Sequence, residues 1–167
     1  MNMPISTERL EIRQLRPGDL PKFIECMTDP GSTRYLQFEE EQKTKKGAAG
    51  LSEAVLASFR SDGPVHSYAI VEEESGEFVG SCGYAPYSGG IVEVCCTVNR
   101  ERTGRGFATE AARALAEILG EEFEVRAYWD PGNVAAHRVA LRAGFEDKGI
   151  PAHEVFGNEG RLFVFKG

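Results

Sequence analysis

The 167-residue sequence lacks the features that mark membrane, secreted and nucleic-acid-binding proteins. No run of apolar residues is long enough to span a bilayer, and residues 1–9 lack the apolar core of a signal peptide. Lysine and arginine number 19 against 26 aspartate and glutamate residues, so the net charge of -7 argues against a broad basic face for DNA or RNA. We therefore expect neither a membrane nor a nucleic acid as a partner.

Cysteine is also scarce, with only Cys26, Cys82, Cys95 and Cys96. They form no CxxC pair, and no histidine lies at a zinc-like spacing from them, so we expect no metal site. A chain of this length can bury a core without disulfides. We expect one domain over residues 1–167, reduced thiols, a cytoplasmic location, and a monomer or homodimer.

The middle of the sequence is rich in strand signals. Short β-prone runs at 67–72, 78–87 and 91–98 are separated by the turn-forming segments 75–76 and 88–90. This pattern predicts an antiparallel meander. With a two-residue turn Cys82 would face Cys95, and with a three-residue turn it would face Cys96.

The N-terminal third reads as one strand followed by helices. Alternation around Leu10 and Ile12 predicts the strand, and Asp19 is placed to cap the helix that follows. A second helical region is predicted over 39–60, and Gly47 and Gly50 are expected to break it in two.

The C-terminal part alternates helices and strands. We predict helices over 106–119 and 133–143, the second capped by Asn133, and strands at 124–129, at Phe145 and at 161–165. Together these elements predict an α/β (α+β) fold. Its central sheet would be mixed but mostly antiparallel, with six to seven strands and helices on both faces.

The strongest chemical signal is a glycine-rich turn over residues 103–108, between a strand and an amphipathic helix. Gly104 and Gly106 allow the backbone to turn tightly, so that N–H groups and the helix N-terminus can face one anion. Arg102 and Arg105 can add positive charge at the rim. An unoccupied turn is an equally good interpretation of these residues alone. Neither the Walker pattern nor the complete Rossmann fingerprint is present, which argues against ATP and NAD.

A second motif follows after one strand. Residues 133–145 read Asn-Val-Ala-Ala-His-Arg-Val-Ala-Leu-Arg-Ala-Gly-Phe. With the glycine turn, they resemble the GNAT superfamily of N-acetyltransferases, whose signature is Gln/Arg-x-x-Gly-x-Gly/Ala followed later by Asn-x-x-Ser/Ala and Gly-Phe. Residues 7–13 and 34–36 are similar to the ribosomal-protein N-terminal acetyltransferase (Rim-type) branch.

The resemblance implies an acyl-CoA N-acyltransferase fold that binds acetyl-CoA as co-substrate. The turn would hold the pyrophosphate, and pantetheine would lie where the strand ending at Val98 separates from the strand at 125–129. Asn133 would bind the pantetheine amide region besides capping its helix. The implied cofactor-binding residues are Val98, Thr103, Gly104, Arg105, Gly106, Phe107, Ala108, Thr109 and Asn133.

Catalysis by this chemistry requires a proton acceptor for the attacking amine. Glu93 is the candidate general base, because it interrupts an apolar run on the central strand; the alternative is that it forms the solvent face of that strand. A backbone N–H near Val98 is expected to stabilise the oxyanion. Ala140 stands where some N-terminal acetyltransferases carry a tyrosine acid.

The predicted activity is therefore transfer of acetyl from acetyl-CoA to a primary amine by direct attack. The acceptor would be a small molecule or the α-amino group of a peptide or protein. The alternative is a non-catalytic acyl-CoA-binding or regulatory domain with the same fold. His66 and His137 are expected at the surface, whereas Tyr84, Tyr87, Trp129 and Phe156 are candidates to line the acceptor pocket or to fill the core.

Overall fold

A computed structural model of the protein describes residues 3–36, 39–87, 89–153 and 157–167. They contain an eight-stranded sheet with strand order β1-β2-β3-β4-β5-β6-β8-β7. The strands are β1 (Ile5–Ser6), β2 (Leu10–Gln14), β3 (Ser67–Glu72), β4 (Phe78–Pro86), β5 (Ile91–Val98), β6 (Glu124–Trp129), β7 (Phe145–Asp147) and β8 (Arg161–Phe165).

Every neighbouring pair in this sheet is antiparallel except β5 and β6, which are parallel. The prediction of a mixed, mostly antiparallel sheet is confirmed. The sheet gains an eighth strand because the short β1 pairs with β2.

Helices cover both faces of the sheet, as predicted. They are α1 (Leu20–Thr28), α2 (Pro30–Thr33), α3 (Lys45–Ser58), α4 (Phe107–Leu119) and α5 (Val134–Ala143). Alternate residues of β3 face opposite sides: Ala69 packs in a core cluster with α1 and α3, and Ile70 packs in another with α4 and α5. No helix in the described ranges is long and apolar enough to cross a membrane.

The cap predicted for α1 is wrong in its chemistry. Asp19 occupies the N-cap position but makes no capping bond to that helix. Its buried carboxylate instead pairs with Arg13 at 2.7 Å and accepts a hydrogen bond from the backbone N–H of Arg16. Arg13 is buried as well, and a buried charge without a partner destabilises the fold, so the carboxylate stays with Arg13 rather than capping the helix.

The break predicted within 39–60 lies elsewhere. A 3-10 turn (Glu40–Lys43) precedes α3, and Thr44 caps the helix by accepting a hydrogen bond from Gly47 N–H at 3.0 Å. Gly47 lies inside the helix. A side chain is excluded at this position because a Cβ would lie 1.9 Å from the carbonyl oxygen of Glu41. That glycine permits a close backbone approach rather than ending the helix.

The C-terminal helices follow the sequence signals closely. Gly106, with φ of 85°, precedes α4, and Gly144, with φ of 99°, ends α5. Phe107 and Leu115 of α4 are almost completely buried, and burial of such side chains stabilises a fold by about 1.5–3 kcal/mol each. The start of α4 is therefore fixed against the sheet directly after the glycine turn.

Candidate acetyl-transfer site

An opening lies between the two parallel strands. The ladder from β5 to β6 runs from Ile91–Glu124 to Glu93–Arg126 and then stops. The same strand β5 stays paired with β4 as far as Val98, opposite Gly80. The gap therefore opens on the β6 side of β5, and the strand separation that the family resemblance implies is confirmed.

The glycine turn lies at the far end of this opening. β5 is followed by a 3-10 turn (Arg100–Arg102), and Gly104 and Gly106 then adopt φ of 77° and 85°. These values lie in the left-handed region that favours glycine. The backbone N–H groups of residues 104–109 donate to no acceptor among the described residues. The turn and the first turn of α4 thus present adjacent donors and the positive end of a helix dipole to an anion.

The two rim arginines are held by a carboxylate that the sequence did not reveal. Glu72 of β3 accepts from Arg105 at 2.9 Å and from Arg102 at 3.2 Å, and Arg102 also pairs with Glu77. A hydrogen bond from Ser75 and the charges of the two arginines hold the pKa of Glu72 below its ordinary value, against the effect of burial. Both arginines are therefore oriented before any ligand binds.

Arg9 connects the glycine turn to the edge of the sheet. Its guanidinium donates to the carbonyl oxygen of Arg105 at 3.0 Å and pairs with Glu110 of α4 at 2.6 Å. Thr7 donates to the same carboxylate, also at 2.6 Å. The guanidinium groups of Arg9 and Arg105 lie 5.0 and 4.8 Å from the centre of the Phe107 ring. We call these contacts of Arg9 and Thr7 with Arg105 and Glu110 the Arg9 clamp. In the sequence, only the resemblance of residues 7–13 to the Rim-type branch pointed to this region.

The other turn residues divide into backbone and side-chain roles. The Phe107 side chain is 1% exposed in the core, so only its backbone faces the turn. Ala108 and Thr109 are half-buried in the first turn of α4. The Thr103 hydroxyl donates to the carbonyl oxygen of Arg100 at 2.8 Å. Thr103 stands at the first position of the family pattern, three residues before Gly106, where the family prefers Gln or Arg.

Asn133 lies across the opening from the glycine turn, just beyond the end of β6. Its Oδ1 accepts from Ala136 N–H at 3.1 Å, so the predicted helix cap is confirmed. The neighbouring Gly132 carbonyl oxygen accepts from the Tyr35 hydroxyl at 3.3 Å. This contact brings the segment after α2 to the β6 side of the opening.

Glu93 lies where the ladder between β5 and β6 ends. Its Oε2 is 3.0 Å from Nε2 of His153, and its side chain is 28% exposed. The pair borders a small cavity of about 80 Å³. The lining residues are Tyr87, Glu93, Arg126, Tyr128, Pro151, Ala152, His153 and Leu162.

His153 is the main site residue that sequence reasoning missed. Its ring meets the ring of Tyr128 edge-on at 4.6 Å and that of Tyr87 at 5.5 Å. Nothing around His153 in the sequence forms a motif, and its carboxylate partner is 60 residues away. Only the pairing of distant strands brings the two together.

The remaining aromatic candidates lie in different surroundings. Tyr84 stacks on His66 at 4.1 Å, and Trp129 packs against Phe163 of the core. Of the three candidates that the structure describes, Tyr87 lines the cavity beside Glu93, whereas Phe156 lies outside the described residues.

The structure places the four cysteines and Ala140 outside the proposed chemistry. Cys82 faces Cys96 across β4 and β5, which selects the second of the two registers, and all four cysteines are free thiols. Ala140 is fully buried in the core, so α5 offers no proton donor at that position.

Comparison with known proteins identifies the class to which this fold and site belong. The family model of the acetyltransferase (GNAT) domain matches residues 9–146. YkkB, an uncharacterised protein of Bacillus subtilis (strain 168), is 35% identical and covers 83% of this chain and 82% of its own. The chain belongs to the GNAT acetyltransferase family, and it is thereby an acetyl-CoA-dependent acyltransferase.

Solved structures share the fold at low sequence identity. An acetyltransferase of the GNAT family from Bacillus anthracis superimposes with a TM-score of 0.76 at 21% identity, covering 97% of this chain and 96% of its own. RimL, a ribosomal L7/L12 α-N-protein acetyltransferase solved in complex with coenzyme A, also gives 0.76, at 12% identity over 97% of each chain.

Proposed function

We propose that the protein transfers an acetyl group from acetyl-CoA to a primary amine by direct attack of the amine on the thioester. One observation carries this proposal: a single strand, β5, has the anion-accepting glycine turn after one end and Glu93 near the other. The five residue steps from Glu93 to Val98 span roughly 17 Å of extended strand. The part of β5 between them borders the opening to β6.

The residues of the opening fit the cofactor. The N–H groups of residues 104–109, which donate to no acceptor within the described ranges, and the two left-handed glycines suit a pyrophosphate. We assign pantetheine to the edge of β5 that faces the opening, including Val98, and to the Asn133 side chain, whose Nδ2–H can donate while Oδ1 caps α5. When bound, the cofactor supplies a thioester-activated acetyl group.

The catalytic roles follow from the same geometry. Glu93 accepts the proton of the attacking amine, whose lone pair forms the new C–N bond. The C–S bond of the thioester breaks, and coenzyme A leaves as the thiolate, which takes up a proton from solvent. The oxyanion donor must then lie close to Glu93. The sequence suggested a donor near Val98, but Val98 is roughly 17 Å along the strand from the base. We therefore place the donor on the backbone of β5 within residues 94–96. The opposite face of the sheet from α4 is the route for the acceptor.

The nature of the acceptor is best approached through the net charge and the family. A net charge of -7 favours a cationic acceptor. RimL is named for acetylation of a protein α-amino group, and we propose peptide α-amino groups and small-molecule amines as the two acceptor classes to compare, in a cytoplasmic setting.

An amine panel with thiol detection tests the proposal. Purified protein and acetyl-CoA are incubated with small amines, amino-acid amides and short peptides, and each product is identified by mass spectrometry. Alcohols matched to the amines serve as control acceptors. We expect thiol release that depends on the amine and yields its N-acetyl product. Release that depends only on alcohols, or none with any amine, would contradict amine transfer.

A further inference from the structure

The pair formed by Glu93 and His153 differs from an ordinary surface ion pair in its burial. The imidazole is 4% exposed, whereas the carboxylate beside it is 28% exposed. His153 therefore lies behind Glu93 as seen from the solvent. One carboxylate oxygen, Oε2, is 3.0 Å from Nε2 of the ring. An amine that reaches Glu93 would meet the carboxylate first and the imidazole behind it.

The surrounding structure holds this imidazole in place. The backbone N–H of His153 donates to Asn158 O at 2.8 Å, and the Tyr128 hydroxyl is 2.6 Å from the carbonyl oxygen of Pro151. Gly160 makes room for Tyr128, because a Cβ at that position would lie 2.2 Å from its ring. The described parts of the connection between β7 and β8, residues 148–153 and 157–160, thereby contact β6, and the first of them presents His153 to Glu93 on β5.

The charged and titratable groups around the pair come from every element that borders it. Arg126 of β6, opposite Glu93 in the ladder, lines the same cavity together with Tyr87 and Tyr128. Cys95 lies two residues after Glu93 on β5. Glu159 lies just before β8, and its negative charge contributes to the raised pKa of Tyr128. Among the described residues, Arg126 and the imidazole of His153 therefore lie beside the base.

We propose that His153 is a positioning residue for the general base. Its Nε2–H donates to Oε2 of Glu93 and holds the carboxylate so that Oε1 accepts the amine proton. This proposal rests on the proposed function. Loss of this hydrogen bond leaves the carboxylate free to rotate away from the productive orientation.

Two substitutions separate this role from simple packing. His153→Phe keeps a ring against Tyr87 and Tyr128 but removes the N–H donor. His153→Gln keeps a donor near the position of Nε2 and changes the ring contacts. Melting temperatures of both variants report their folding, and acetyl-CoA affinity reports the cofactor site.

We expect His153→Phe to lower kcat roughly tenfold with acetyl-CoA affinity nearly unchanged, because an unheld carboxylate spends less time in the productive orientation. His153→Gln should restore most of kcat. A folded His153→Phe protein with the wild-type kcat would overturn the proposal, as would equal losses in the two variants.

The pair itself is tested without any acceptor. The chain has three histidines, so His153→Gln assigns the ring-nitrogen NMR signals of His153 by their disappearance. In the wild-type protein we expect the signature of a hydrogen-bonded Nε2–H, and in Glu93→Leu its loss. Unchanged signals in Glu93→Leu would overturn the pairing. If the NMR result holds but no amine is turned over, the proposed function fails and the positioning role fails with it.

Discussion

Replacing Gly106 with glutamate tests the assignment of the glycine turn to the cofactor. Gly106 has φ of 85°, and a Cβ built there lies 3.3 Å from Nη2 of Arg9. A glutamate at this position adds a negative charge beside the proposed pyrophosphate site and disturbs the arginine that holds the Arg105 carbonyl. Both effects act against an anionic ligand.

The expected magnitudes can be separated into strain and binding. A residue other than glycine in the left-handed region costs about 1–2 kcal/mol, which lowers the melting temperature by about 2–8 °C in a chain of this size. Loss of the anion site should weaken acetyl-CoA binding at least tenfold, equivalent to about 1.4 kcal/mol. The strain changes stability, whereas the charge and the blocked backbone change affinity.

Gly149→Glu is the matched control. Gly149 has φ of 91°, and a Cβ there meets nothing within 4 Å. It lies between β7 and β8, so the substitution introduces the same charge and similar strain away from the turn. Isothermal calorimetry with acetyl-CoA should show weak binding for Gly106→Glu and wild-type binding for Gly149→Glu. Wild-type affinity in a folded Gly106→Glu protein would refute the assignment.

Three further outcomes follow from the described contacts. Arg9→Met should weaken acetyl-CoA binding about three- to tenfold by calorimetry, because the hydrogen bond that holds the turn is lost. Arg60→Met, at an exposed position away from the turn, should leave the affinity unchanged, and equal effects of the two substitutions would contradict the role of Arg9. Glu110 is partly desolvated, but hydrogen bonds from Thr7 and Arg9 hold its pKa below the ordinary 4.5, so its stabilisation is present above that pH and is lost as the pH falls through the folded value. Glu110→Gln should therefore lower the free energy of unfolding at pH 7 by about 1 kcal/mol, seen as a lower melting temperature, and the deficit should shrink as the pH falls below 4.5; a constant deficit would contradict this. Thiol titration of denatured protein without reductant should count four thiols, with Cys82 slow to react in the native state because burial raises its pKa; a count near two would indicate a disulfide.

Local signals explain why much of the fold was predictable from the sequence. The glycine turn, the Asn133 cap and the Gly144 stop each depend on the backbone preference of one residue and its immediate neighbours. The predicted strands β3, β4 and β5 were bounded by turn residues in the same way. These features do not require knowledge of distant contacts, so the structure reproduces them closely.

Contacts between distant segments explain what the sequence did not reveal. Glu72 meets Arg105 across 33 residues, and Glu93 meets His153 across 60. No spacing rule connects such pairs, because their meeting depends on strand order and register. Even the position of Asp19 was predicted while its role was not, since the partner that captures its carboxylate, Arg13, lies on a neighbouring element.

The turnover rate of Glu93→Gln as a function of pH tests the central claim most directly. The substitution keeps the size of the side chain but removes its ability to accept a proton. With the best amine of the panel, we predict that kcat falls by ~10²-fold or more at neutral pH while acetyl-CoA affinity stays the same. The variant should recover partly as the pH rises, because more of the amine is then already neutral. Full activity with an unchanged pH profile would contradict the assignment of Glu93 as the base.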